Sequence, residues 1–380
     1  MSDNSTPGID RPNSSSSNPP VRIPKRIDVP FMSRQKQFAI LAHPAQERLA
    51  RKLVEFNRER FTFHPTKWGK FPDGTDNIEM GGMHPVNQIR GENILFLASF
   101  HNNDATLSQF HVLNMLAEAF IESLTIVLPY YPTGTMERVT QEGQVATANT
   151  LARLFSNLPR VGKPIRVMVY DLHTLQNRFY LSGNALASLH TAIPLLVQQL
   201  KAPGCLIDCI AFPDDGATKR FGALFEEYFP NFPIITCGKV RDGEKRIVTI
   251  QDGNPAGRHV VIVDDLVQTG GTLCECANEI KRRGALSVSG FVTHAVFPTG
   301  WKRFSRKDGG PFQKFWITNS NPFITDNLPT DDCFQVRPNP LPSEHGRQLA
   351  EDRAAVSRIG RQLAGGSSRK RKARGNTLRG

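Results

Sequence analysis

Two tandem doubly wound parallel sheets, an α/β architecture, are what this chain of 380 residues predicts. Three observations carry that expectation. Short β-branched runs such as Val260-Val261-Ile262-Val263 show no apolar–polar alternation, which suits strands buried on both faces of a parallel sheet. Stretches with helical apolar spacing lie between such runs, and alternating strands and helices argue a parallel sheet with helical crossovers. The rhythm restarts midway along the chain, so its length fits two units, about 35–183 and 184–325.

The elements follow in order. Residues 1–34 are rich in Ser, Pro, Asn and Asp, a composition that buries no core and is expected to be disordered. Order is expected to begin with a strand at Gln37-Phe38-Ala39-Ile40-Leu41, followed by a helix over 46–58. Ile94 to Ala98 reads as a buried strand, 105–123 as a long amphipathic helix, and Thr125 to Pro129 as the next strand. A helix near 142–156 and a strand from Arg166 to Tyr170 complete the first unit. The second unit reads as a helix near 191–200, a strand from Leu206 to Ala211, a helix near 217–228 and a strand at Pro233 to Thr236. The strand at 260–263 leads into a helix from Leu273 to Arg283, with Gly284 as its C-cap. Val288 to Val296 and Phe315 to Ile317 supply the last strands. Residues 326–380 form a polar tail ending in Arg369-Lys370-Arg371-Lys372-Ala373-Arg374, read as a solvated segment.

Charge and cysteine usage narrow the classes of function. The net charge is +12, of which residues 341–380 carry +7 and residues 1–35 carry +2. The core keeps only +3, so nucleic acid is not the expected partner of the folded part. No apolar run approaches the roughly 20 residues needed to span a bilayer. The N-terminus lacks the basic start and apolar stretch of a secretory signal, and Asp3 and Asp10 argue against a mitochondrial presequence. The six cysteines lack zinc-finger spacing and read as free thiols, which together points to the cytoplasm.

Reactive side chains gather where strands end, the place where open α/β sheets bind ligands. In VVIVDDLVQTGGTL (260–273), a buried strand runs into Asp264 and Asp265, and then into Thr269-Gly270-Gly271-Thr272 at the start of a helix. Glycines let the backbone approach a ligand closely, and free N–H groups at a helix N-terminus favour a phosphate. The two carboxylates repel phosphate but suit sugar hydroxyls or a metal ion. The fragment therefore predicts a sugar-phosphate cradle; the plain alternative is a tight turn with an acidic tip. Asp171-Leu172-His173 and Asp214-Asp215-Gly216 end two further strands. Gly238-Lys239-Val240-Arg241 opens a polar stretch to Gly257, expected to act as a lid whose cations meet transferring phosphates.

Across about residues 36–325 the sequence resembles the ribose-phosphate pyrophosphokinases. The resemblance rests on FPDG (71–74), LPYYP (128–132), DLHTLQNRFY (171–180), FPDDG (212–216), GKVR (238–241), VVIVDDLVQTGGT (260–272), THAVF (293–297) and WITNS (316–320), in joint order and spacing. PTGT (132–135) and WKRF (301–304) look closest to the plant class II branch. The resemblance implies two type I phosphoribosyltransferase-like domains and transfer of the β,γ-diphosphoryl group of ATP to ribose 5-phosphate. By motif, Asp264, Asp265, Thr269, Gly270, Gly271 and Thr272 would hold ribose 5-phosphate. His173 and Asp214 would meet Mg²⁺ or Mg-ATP, and Lys239 and Arg241 would be catalytic. Phe71 and Asp73 would contact adenine from a neighbouring subunit, which implies a homo-oligomer.

Three positions depart from the commoner branch of that family. Thr75 stands where a loop Glu is usual, Thr135-Met136 where an Arg-Gln pair is usual, and Gln268 where a carboxylate precedes the phosphate loop. The first two imply relaxed adenine selectivity and weak or absent activation by phosphate. Two other readings compete. A phosphoribosyltransferase consuming phosphoribosyl pyrophosphate would share the phosphate loop, yet would not explain FPDG or DLH. A non-catalytic regulatory relative would suit Thr75, Thr135 and Met136, but not the retained His173, Asp214, Lys239 and Arg241.

Overall fold

The structure, a computed structural model, describes residues 37–338 except 243 and 244, together with the side chains of that span outside 240–247. The expected N-terminal tail, 1–34, and the part of the expected C-terminal tail beyond residue 338 lie outside the described residues. The described residues belong to one compact unit that begins at Lys36 and is built on two large sheets.

The first sheet grows from β1 (Phe38–Ala42), α1 (Glu47–Phe56), β2 (Phe61–Phe63) and a hairpin of β3 (Lys67–Lys70) with β4 (Asp76–Glu79). It continues with β5 (Asn93–Leu97), α2 (Asn103–Glu118), β6 (Ser123–Leu128), α3 (Thr147–Ser156), β7 (Ile165–Tyr170) and β8 (Ala185–His190). Its order is β2-β1-β5-β6-β7-β8, and every pair is parallel. Both faces are covered. Ile94, Phe96, Ile126 and Val167 pack on one side with Leu113 and Phe155, while Ile40, Leu95 and Met168 meet Leu49 and Leu53 of α1 on the other. That two-sided burial is why these strands read as unbroken apolar runs.

The second sheet comprises β9 (Cys209–Phe212), β10 (Ile234–Asp242), β11 (Lys245–Asp252), β12 (His259–Val267), β13 (Ser287–Ala295), β14 (Phe315–Thr318) and β15 (Phe334–Arg337). Its helices are α4 (Ile193–Leu200), α5 (Asp215–Tyr228), α6 (Gly271–Arg282) and the short α7 (Pro322–Thr325). The order is β11-β10-β9-β12-β13-β14-β15, parallel except for the β10–β11 pair. β12 is central, so its carboxyl end opens at the middle of the sheet. Gly284, at φ +92°, follows α6 as the expected C-cap.

Three expectations change. The polar stretch from Gly238 is no simple loop: β10 continues to Asp242 and turns back as β11, with Lys239 opposite Val248. Val248 and Cys237 are buried beside α6, and this apolar seam holds a sequence whose charges suggested a lid. The first sheet extends past 183, because β8 pairs with β7 from Ala185 to His190. Its Ala-Leu-Ala-Ser composition lacks the β-branched signature of a strand. The second sheet extends past 325, closing with β15 at Phe334–Arg337. All six cysteines are free thiols, and the Cys237 and Cys276 sulfurs touch at 3.2 Å between β10 and α6.

Candidate active site

The carboxyl ends of β7 and β12 face each other across the junction of the two sheets. Asp265 leaves β12 buried, and its Oδ2 lies 3.0 Å from His173 Nδ1. Arg220, on α5, donates to the same Oδ2 at 3.2 Å and to the His173 carbonyl at 3.2 Å. Asp171 holds a left-handed conformation at φ 36°. Its buried Oδ2 accepts from Thr293 Oγ1 at 2.6 Å and from the Ala192 N–H at 2.8 Å. Asp171 is thus a structural anchor between the halves, and it turns the chain so that His173 meets Asp265.

The two adjacent carboxylates behave differently. Burial and the neighbouring Asp265 push Asp264 well above the usual carboxylate range. Burial also acts on Asp265, but the His173 hydrogen bond and the Arg220 charge outweigh it and hold Asp265 below that range. His173 is raised by its bond to Asp265. The two carboxylates are thus shifted in opposite directions, so Asp265 gives up its proton more readily than Asp264.

Beyond the pair, the chain turns through Thr269 into α6. Gly270 has φ +74°, and a Cβ there would stand 1.9 Å from the Phe304 ring. Glycine is required both by the backbone and by that close approach. The first N–H groups of α6 have no partner within the helix, a ready anion cradle. A cavity of about 630 Å³ opens here, lined by His173, Asp214, Lys239, Asp264, Asp265 and the whole turn from Gln268 to Thr272.

The structure therefore gathers most of the expected site residues in one place. Asp214 also serves the fold, because its Oδ1 accepts from the Ala217 N–H at 2.9 Å and caps α5. Arg241 lies in β10, but its side chain falls outside the described residues. Phe71 and Asp73 are not brought in. They sit at the β3–β4 turn, where Asp73 accepts from the Thr75 N–H at 2.9 Å and from its hydroxyl at 2.7 Å, and neither lines the cavity. Of the departing pair, Thr135 lines the cavity, and so does Gln268. Arg220 and Arg138, which also line it, carry no motif that sequence reasoning picked out. Arg220 stands six residues after Asp214 on a helix that starts at a strand end, and that position was the available signal.

A doubly wound protein with an acid pair, a glycine turn into a helix and a cation-bearing hairpin around one cavity belongs to the phosphoribosyl-binding class. Residues 238–304 match the phosphoribosyl transferase domain family, and residues 38–158 match the N-terminal domain of ribose phosphate pyrophosphokinase. The chain is 46% identical over 296 residues to ribose-phosphate pyrophosphokinase 4 of Arabidopsis thaliana, covering 76% of this chain and 86% of that protein. It is 40% identical over 324 residues to the chloroplastic ribose-phosphate pyrophosphokinase 3 of Oryza sativa subsp. japonica, covering 83% and 77%. The crystal structure of phosphoribosylpyrophosphate synthetase from Mycobacterium smegmatis shares the fold, with TM-score 0.66 at 19% identity, covering 85% of this chain and 100% of that one. The chain belongs to the ribose-phosphate pyrophosphokinase family.

Proposed function

We propose that this enzyme transfers the β,γ-diphosphoryl group of ATP to the anomeric hydroxyl of ribose 5-phosphate, giving phosphoribosyl pyrophosphate and AMP. The observation that carries the reading is the convergence of acid pair, phosphate turn and Lys239 on a single cavity at the meeting of the two halves. The turn from Thr269 to Thr272 binds the 5-phosphate, and Asp264 and Asp265 engage the ribose hydroxyls. The anomeric oxygen attacks the β-phosphorus in line with the bond to the departing AMP, and its proton passes to an aspartate or to water. Lys239 and Arg241 counter the charge that develops on the transferred group.

Mg²⁺ suits the donors present. It is commonly held by one or two carboxylates together with substrate phosphates, and the cavity offers Asp214 facing a second carboxylate, Asp264. Bound there, it would neutralise the phosphate oxygens. His173 commits Nδ1 to Asp265, so only Nε2 remains for a metal or a phosphate. Phe71 and Asp73 contact adenine in a neighbouring subunit of a homo-oligomer, a role consistent with Phe71 being 51% exposed and clear of its own chain's cavity. Among the described residues no helix is long and apolar enough to cross a membrane. We assign the chain to the cytoplasm, which fractionation of cells expressing the tagged full chain tests.

The decisive test is AMP release from ATP, Mg²⁺ and ribose 5-phosphate by the isolated protein, repeated with other nucleoside triphosphates and with added phosphate. Turnover is expected without phosphate. Lys239→Ala is expected to lower kcat by at least about a hundredfold while leaving the melting temperature within a few degrees. No AMP from the wild-type protein, or near-normal turnover in the variant, rejects the assignment or the Lys239 role respectively.

A further inference from the structure

A phosphate turn works only if its N–H groups face the ligand, and glycine does not enforce that by itself. The peptide joining Thr269 to Gly270 is such a unit. Gly270 adopts φ +74°, yet glycine accepts negative φ about as readily, so this peptide is free to flip as far as Gly270 is concerned. In a trans peptide the C=O and the N–H point opposite ways. Whatever holds the Thr269 carbonyl outward therefore holds the Gly270 N–H inward.

Arg303 does this. Its Nη1 donates to the Thr269 carbonyl at 2.9 Å from the connection between β13 and β14. The same nitrogen stands 3.6 Å from where a Cβ on Gly271 would lie. The guanidinium is anchored from below, because the next residue, Phe304, is buried under Gly270. On the other end of the peptide, the Gly270 N–H has no protein acceptor among the described residues, and Gly270 lines the cavity. A donor without a protein acceptor at the wall of a cavity is open to a ligand that accepts from it.

We propose that Arg303 is a positioning residue for ribose 5-phosphate: it locks the Thr269–Gly270 peptide so that the Gly270 N–H is presented to the 5-phosphate. This rests on the phosphate turn being the ribose 5-phosphate site. The role needs one donor directed at one carbonyl. Lysine therefore replaces arginine, whereas methionine, with similar bulk and no donor, does not.

Arg303→Met in the full chain is expected to raise KM for ribose 5-phosphate about tenfold or more, with KM for ATP unchanged and kcat within about threefold. Arg303→Lys is expected to restore KM to within about threefold. Thermal shift with ribose 5-phosphate alone gives a second readout: the ligand raises the melting temperature of the wild type and Arg303→Lys, but not of Arg303→Met. An unchanged KM or shift in the Met variant overturns the proposal. So does a Lys variant as impaired as Met, or a loss confined to kcat. If the wild type releases no AMP yet is protected by ribose 5-phosphate, the reaction assigned above fails, and the thermal shifts alone judge Arg303. If it is not protected either, the phosphate turn and Arg303's role fall together.

Discussion

His43, at the carboxyl end of β1, accepts from the Ala45 N–H at 3.2 Å through Nδ1, so its ring must be neutral there. Burial, and then the charge on nearby His101, lower its pKa from 6.5 to about 4. Between those values the unfolded chain binds a proton that the folded chain refuses. Stability from this group is therefore full above about pH 6.5 and is lost as the pH falls towards 4. The ring is partly exposed, so the discounted loss is about 1–3 kcal/mol. His43→Asn keeps an acceptor for Ala45 without titrating. Urea denaturation at pH 7 and pH 5 is expected to show a smaller loss in the variant than in the wild type; equal losses reject the idea. At this scale the sequence was readable where a residue's own chemistry decides. Gly270 was legible as a turn glycine, but Phe304, whose ring forbids a side chain there, stands 34 positions away with no local signal. The state of the acid pair was equally invisible, since Arg220 and His173 approach Asp265 only through folding.

Among the elements, α5 shows most clearly how one residue serves both fold and site. Asp214 is its N-cap and also lines the cavity. The two roles separate by substitution. Asp214→Asn retains a capping oxygen and is expected to stay within about 0.5 kcal/mol of wild-type stability, because Asn and Asp cap about equally well. Asp214→Ala loses the cap and about 1 kcal/mol. If the carboxylate meets the metal–nucleotide complex, AMP release falls by at least about tenfold in both variants. Full activity in Asp214→Asn would leave Asp214 as a cap alone. Thermal melts and the AMP assay together read the split. Strands buried on both faces were legible through their unbroken apolar runs, 94–97 in β5, 126–128 in β6 and 260–263 in β12. The β10–β11 hairpin was not. Its apolar contribution reduces to a seam around Cys237 and Val248, embedded in Lys, Arg, Asp and Gln. β8 and β15 stand beside already formed neighbours and need little propensity of their own, so the apolar pattern ends both sheets one strand early.

For the whole molecule, the tandem repeat of strand and helix was legible, but the joint between the halves was not. The joint consists of polar residues at strand ends. The buried His294 bridges the Tyr170 carbonyl, at 2.9 Å from Nε2, and Ser320 Oγ, at 2.9 Å from Nδ1. Its neighbour Thr293 donates to Asp171, and Arg220 and Asp265 close on His173. Residues near the carboxyl end of β13 thus tie the end of β7 to the second sheet. The site is built from the same bonds, because His173 and Asp265 belong to different halves. It follows that the halves should unfold as one, and that loosening the joint should cost activity before it costs either sheet. Thr293→Val removes one of the two donors to Asp171 Oδ2, and His294→Leu removes the imidazole bond to the Tyr170 carbonyl, each loss costing about 1–3 kcal/mol. Hydrogen exchange is expected to give matching opening free energies for β5 and β12 in the wild type. In the double variant the two sheets should open separately, with KM for ribose 5-phosphate raised because Asp265 no longer meets His173 in a fixed geometry. If exchange in the double variant stays matched across both sheets, the polar joint is not what couples them, and the apolar cores on either side of it must carry that coupling instead.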